Sequence, residues 1–179
     1  MAKSKYITRK TAVDESKTLP FHTSVGSGPK NEQVVLMCKC SSVEYNKGLA
    51  NKLRTKHKDS MKQAVALEAE AKQEENPELA EKAVRKIADI VIDVFPEYVI
   101  TDYVLYDEDG NKVDYDAEAC REILEDIRAS ATEEGIENNK ELVRMYIQCG
   151  NSSFFEKDFF TKEEANATAK KSSSESDGT

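Results

Sequence analysis

The sequence predicts an α+β fold, mainly α-helical, with four or five helices and one β-hairpin. Three observations carry that expectation. Leu79, Ala83, Val84, Ile87, Ile90, Val91 and Val94 trace an apolar stripe at helical spacing behind an Asn76-Pro77 start. Tyr98 to Tyr106 is dominated by β-branched and aromatic residues, and a turn at Asp107-Glu108-Asp109-Gly110-Asn111 leads to a short return strand, Lys112 to Tyr115. Asp116 and Asn138 each then open a further segment with one apolar face.

Taken in order, residues 1–32 read as a flexible amino-terminal arm, polar and punctuated by Pro20, Gly26, Gly28 and Pro29. Residues 33–162 read as one helical domain containing the hairpin at 98–115. Within it, Gln33 to Cys38 predicts a short buried strand, and Ser41-Ser42-Val43-Glu44 has the form of a capping box ahead of Tyr45, Leu49 and Leu53. The stretch Arg54 to Lys62 is poor in apolar residues and is expected to be exposed, whereas Ala64 to Gln73 is rich in strong helix formers. The Leu79 to Val94 helix should stop just before Pro96. Cys120, Ile123, Leu124, Ile127 and Ala131 share the face of the next helix, and Leu142, Val143, Tyr146 and Ile147 that of the one after, which Gly150 ends. Ser153 with Glu156 is placed to cap a last helix holding Phe154, Phe155, Phe159 and Phe160. Residues 163–179 have the composition of a disordered tail.

The charge balance narrows the function. A formal charge of −8 argues against general affinity for nucleic acid, which needs clustered Lys and Arg to displace counterions. Lys3, Lys5, Arg9 and Lys10, and again Lys52, Arg54, Lys56, Lys58 and Lys62, form basic stretches, while acidic residues gather from Glu68 onward. Such a distribution reads as solvated helix faces that can also orient a protein partner. No apolar run reaches the roughly 20 residues needed to span a bilayer, and the residues after Met1 lack the apolar stretch of a secretory signal. The four cysteines are therefore expected as reduced thiols in a cytosol. Cys38 and Cys40 form a single close pair, whereas a zinc site ordinarily combines two, and neither His22 nor His57 supplies the second.

Catalytic patterns fare no better. Placing Gly110 sixth in a calcium-binding loop would make Leu105 the first ligand and Asp116 the twelfth, where a bidentate Glu belongs, so a hairpin turn explains the acidic cluster. The two histidines have no neighbouring triad signature, and there is no Gly-rich phosphate loop. No catalytic, cofactor-binding or metal-binding residue is assigned, and the chain is expected not to be an enzyme. Phe154, Phe155, Phe159 and Phe160 are the candidate partner-binding residues: four phenylalanines within seven positions cover more than one side of a helix. Either two of them pack on the domain and two lie under the tail, or they form an exposed aromatic patch for another chain.

From Ser41 to Phe160 the chain resembles the tail assembly chaperones of long-tailed, siphovirus-type bacteriophages. The resemblance lies in the order of elements: a helical segment from Ser42-Val43-Glu44-Tyr45, the Leu79 to Val94 helix, and the hairpin Val104 to Tyr115. A helix from Ala117-Glu118 to Ile123-Leu124 follows, and then one ending near Asn151-Ser152-Ser153-Phe154. Tyr103 to Tyr115 fits the family's hairpin, with Tyr103 where a Trp is common and Lys112 where a Pro is common. The resemblance implies a chaperone that coats the tape-measure protein in the host cytoplasm until tail-tube subunits polymerise around it, without being retained in the mature virion. It also implies a longer form made by ribosomal frameshifting. Ala169-Lys170-Lys171 is what a slippery A-AAA-AAG heptamer would encode, eight residues before Thr179. A structural virion component, such as a tail or head-completion protein, is the alternative. A small metal-dependent or nucleotide-processing enzyme, signalled by stoichiometric zinc on Cys38 and Cys40, is the third.

Overall fold

The computed structural model describes residues 13–130 and 137–156. The fold is α+β and mainly helical, with five helices and a three-stranded antiparallel sheet among the described residues. In chain order these are β1 (Leu19–Ser27), β2 (Glu32–Cys38), α1 (Lys47–Lys56), α2 (Lys58–Glu74), α3 (Pro77–Tyr98), β3 (Ile100–Val104), α4 (Ala117–Ala129) and α5 (Asn139–Gly150). A 3-10 turn, Ser152–Phe155, follows α5.

Strand β2 is central, with β1 and β3 on either side. Its alternation places Val34, Leu36 and Cys38 in the core, and Leu36 sits opposite both Phe21 and Tyr103. The sheet packs one face against the helices, so Val34 and Leu36 share a core with Ile90, Phe95, Leu124 and Leu142. Helix α3 is the hub. It carries Ala88, Ile90, Val91, Val94 and Phe95 into that core and touches α1, α2, α4, α5 and β3.

The arm expected over residues 1–32 is corrected from Leu19 onward. Leu19–Ser27 is an edge strand whose Phe21 and Thr23 point inward. Thr23 is nearly inaccessible, and its hydroxyl donates to the Val34 carbonyl at 2.9 Å, so a polar residue occupies a core position without loss. Pro20 is tolerated because an edge strand leaves one side of its backbone outside the ladder. Gly28 and Asn31 take left-handed conformations (φ +68° and +50°) and close the β1–β2 hairpin. Two side chains of α5 reach β1: Glu141 accepts from the Ser24 amide at 2.8 Å, and the Arg144 guanidinium lies 4.8 Å from the centre of the Phe21 ring.

Helix α1 starts later than the capping-box reading places it. Ser41–Tyr45 forms turns, with the Tyr45 and Asn46 amides both donating to the Ser42 carbonyl, and Asn46 is the cap. The Asn46 side chain accepts from the Leu49 amide at 3.1 Å and donates to the Tyr98 carbonyl at 2.7 Å, which ties the start of α1 to the end of α3. Asn46→Ala is expected to cost about 2–3 kcal/mol, combining a lost cap with carbonyls left without their donor. Asn46→Asp, which keeps the acceptor alone, should fall between; urea unfolding of the three proteins measures both.

Helix α3 begins as the sequence predicts, with the Asn76 side chain accepting from the Glu78 and Leu79 amides and Pro77 at the first helical position. It does not stop before Pro96, however, but runs to Tyr98. Proline removes the amide that would bond the Ile92 carbonyl. The carbonyls beyond it are met from elsewhere, since the Tyr115 hydroxyl donates to Pro96 and Asn46 to Tyr98. The hairpin at 98–115 is correspondingly shorter than expected. β3 spans Ile100–Val104, and the return strand reduces to a Tyr106–Lys112 bridge, flanked by bonds from the Val113 amide to the Leu105 carbonyl and from the Asp107 amide to the Asn111 carbonyl. Its turn is organised as the sequence suggests: Asp107 accepts from the Asp109 and Asn111 amides, and Gly110 has φ +83°.

A helix holding all four late phenylalanines is also corrected at its start. Asn151, not Ser153, caps the 3-10 turn, which ends at Phe155, and Glu156 pairs with Val13. Phe159, Phe160 and the tail expected over 163–179 lie outside the described residues, as does the arm up to residue 12.

Candidate functional site: an apolar groove between three helices

Helices α2, α3 and α5 do not close fully on one another. Their packing leaves a groove of about 530 Å3, lined by buried Ala71 and Ala83, half-buried Val84, Ile87, Val143 and Tyr146, and exposed Ala80 and Ile147. The sequence explains its shape. The buried residues of α2 are the small Ala64 and Ala71, which allow close approach but fill little space. α5 turns Leu142, Met145 and Cys149 into the core and leaves Val143 and Tyr146 half-buried, with Ile147 63% exposed.

The groove has little polar chemistry. Glu68 and Lys72, one helical turn apart on α2, form an exposed ion pair of 2.7 Å at its rim. Tyr146 is the single hydroxyl in the lining, and burial raises its pKa above the ordinary phenol value, so it stays protonated.

Elsewhere the ionisable groups serve packing. Asp93 on α3 accepts from Lys56 on both carboxylate oxygens at 2.8 Å and lies 2.7 Å from Nε2 of His57, at the junction where α1 meets α2. The stretch Arg54 to Lys62, expected to be exposed, therefore contains a ring that is 12% exposed. Desolvation pushes the Asp93 carboxyl up, but the contacts from Lys56 and His57 outweigh it, and the pKa is lowered. Because the folded value lies below the unfolded one, the stabilisation is present at neutral pH and is lost as pH falls through the folded value. Asp93→Asn should thus be less stable than wild type at pH 7, with the gap narrowing below about pH 4. Urea midpoints measured from pH 7 to pH 3 follow it.

The four cysteines are free and buried. Cys38 lies in the main core, where its hydrogen bond to Cys149, then burial, hold its pKa well above the usual thiol value. Cys120 is pushed up to about 12 by burial. Cys40 packs in a separate small cluster with Val13 and Phe155. A thiol held protonated is a poor nucleophile and a poor metal ligand. Among the described residues, none of the His, Cys, Asp and Glu side chains gather in a group able to hold a metal ion.

The candidate phenylalanines separate. Phe154 is 49% exposed, whereas Phe155 is fully buried against Val13 and Cys40 and is withdrawn from the surface. No family model, curated protein or solved structure matches the chain. The groove itself escaped the sequence reading. One signal for it was present: the α3 stripe contains the adjacent apolar pairs Ala83-Val84 and Ile90-Val91, which make it broader than a helix with one neighbour needs. No helix among the described residues is long and apolar enough to cross a membrane.

Proposed function

We propose that this chain is a non-enzymatic tail assembly chaperone of a long-tailed bacteriophage. In this reading it covers the tape-measure protein in the host cytoplasm, helps recruit tail-tube subunits, works beside a frameshifted longer form of itself, and is left out of the mature virion. The observation that carries the protein-covering role is the open groove between α2, α3 and α5, apolar except for the Tyr146 hydroxyl and the Glu68–Lys72 pair at its rim. A site for chemistry would set convergent polar groups around a reacting centre. A site for holding another chain needs exposed apolar contacts framed by charge, which limit affinity and keep the free protein soluble. The phage assignment is supported by the order of elements from Ser42 to Phe154 and by the Tyr103 to Tyr115 segment.

Co-expression with a tape-measure fragment tests the reading. The fragment is expected to become soluble and to co-elute with the chain, and mass spectrometry of purified particles is expected to find none of it. An insoluble fragment without co-elution, or stoichiometric presence in particles, would refute it.

A further inference from the structure

We propose that α2 is a releasable strap: it detaches from α3 as one unit, by local unfolding of residues 58–74, while the sheet and the remaining helices stay folded. This property is independent of what the groove binds.

Little holds α2 down. Of its 17 residues, Ala64 and Ala71 are buried, Ser60, Met61 and Leu67 are half-buried, and the rest are exposed. Neither alanine belongs to the main core, and Met61, in the first turn, is the α2 side chain that reaches it. A methyl group removes far less apolar surface from water than Ile90, Phe95, Leu124 or Leu142, which the neighbouring helices bury in that core. Among the described residues, no side-chain hydrogen bond or ion pair joins positions 58–74 to another element. The Glu68–Lys72 pair lies within α2 and owes nothing to α3. On its far side, the groove stands between α2 and the Val143, Tyr146 and Ile147 side chains of α5. Segments with so few buried apolar contacts open at the low end of a protein's range of opening energies.

Both ends can give. His57 ends α1 and precedes α2 with a non-helical backbone (φ −113°, ψ 8°), and no side chain caps the first amides of α2. Glu75, at the other end, has φ +51°, a left-handed conformation that residues with a Cβ adopt at a cost. Beyond these points the chain is anchored, since His57 lies 2.7 Å from Asp93 and Asn76 caps α3. A helix of this length spans about 25 Å, whereas the same residues extended reach more than about 50 Å. α2 can therefore unfold without pulling on either anchor. Its Ala, Glu, Lys and Gln residues favour helix re-formation, but a helix this short is marginal without its neighbour, so detachment and unfolding coincide. Release takes away one wall of the groove. It leaves Ala80, Ala83, Val84 and Ile87 of α3 beside Val143 and Ile147 of α5 as an open apolar face.

Hydrogen exchange of the full-length protein, followed by peptide at several urea concentrations below the unfolding transition, is the test. Corrected for intrinsic rates, amides 62–74 are expected to exchange at least about tenfold faster than those of α3 between 87 and 95. Their urea dependence should be clearly weaker, because release exposes little surface, and they should share one opening constant. Ala71→Cys gives a second readout. Iodoacetamide labelling at position 71, relative to the same site in unfolded protein, is expected to be at least about tenfold faster than at Cys38, Cys120 and Cys149 in the main core. Exchange in the unsubstituted chain decides alone if that variant does not fold. Protection of 62–74 equal to that of α3, with the same urea slope, would overturn the proposal. So would fast exchange confined to 70–74, which is fraying of one end, or labelling at position 71 no faster than in the core.

Discussion

Phe95→Ala is expected to lower folding stability by about 3–5 kcal/mol. Phe95 is completely buried near the end of α3, in the core shared with β2, α4 and α5. Its ring centre lies 6.3 Å from that of Tyr146. Truncation removes the transfer energy of a whole ring and leaves a void that the surrounding side chains cannot fill, because they belong to separate elements held at their own spacings. Tyr146 also walls the groove, so the variant should weaken whatever binds there as well as the fold. Phe95→Leu, which keeps most of the volume, should lose much less. Urea unfolding with an unchanged m-value is the measurement, and a loss below about 1 kcal/mol would contradict the packing described.

The second large effect separates two adjacent residues. Phe155→Ala should cost about 3 kcal/mol, whereas Phe154→Ala should stay within about 0.5 kcal/mol. Phe155 is fully buried against Val13 and Cys40, with Leu19 and Tyr45 around them, and its carbonyl accepts from the Asp14 amide at 2.7 Å. It therefore fastens the stretch after α5 to the segment before β1. The estimate sits at the low end for a phenylalanine because this cluster is small and can partly collapse. If Phe154 contributes to partner binding, its substitution should act on affinity alone. Thermal melts of the two variants decide the contrast, and similar losses for both would contradict it.

The elements read most accurately from sequence are those whose signals are local. Asn76-Pro77 starts α3, Asp116 caps α4 by accepting from the Ala119 amide at 2.8 Å, and the Asp107 turn is built by its own side chain. What was misread depended on distant partners. The inward-facing Thr23 looks like loop composition until the Val34 carbonyl is placed beside it. Pro96 looks like a terminator until Asn46 and Tyr115 arrive to satisfy the carbonyls after it. The groove is a gap between three helices. Each wall was visible as an apolar stripe, but the separation that makes a space of it depends on alanines at the α2–α3 contact.

The reach of two α5 side chains to β1 bears on how this chain behaves when crowded. An unguarded outer strand invites copies to stack edge to edge into ordered aggregates. Glu141 occupies the Ser24 amide and Arg144 reaches the His22 carbonyl, so a neighbouring molecule finds these donor and acceptor positions already taken. The helix that lines the apolar groove thereby also occupies part of the outer edge of the sheet.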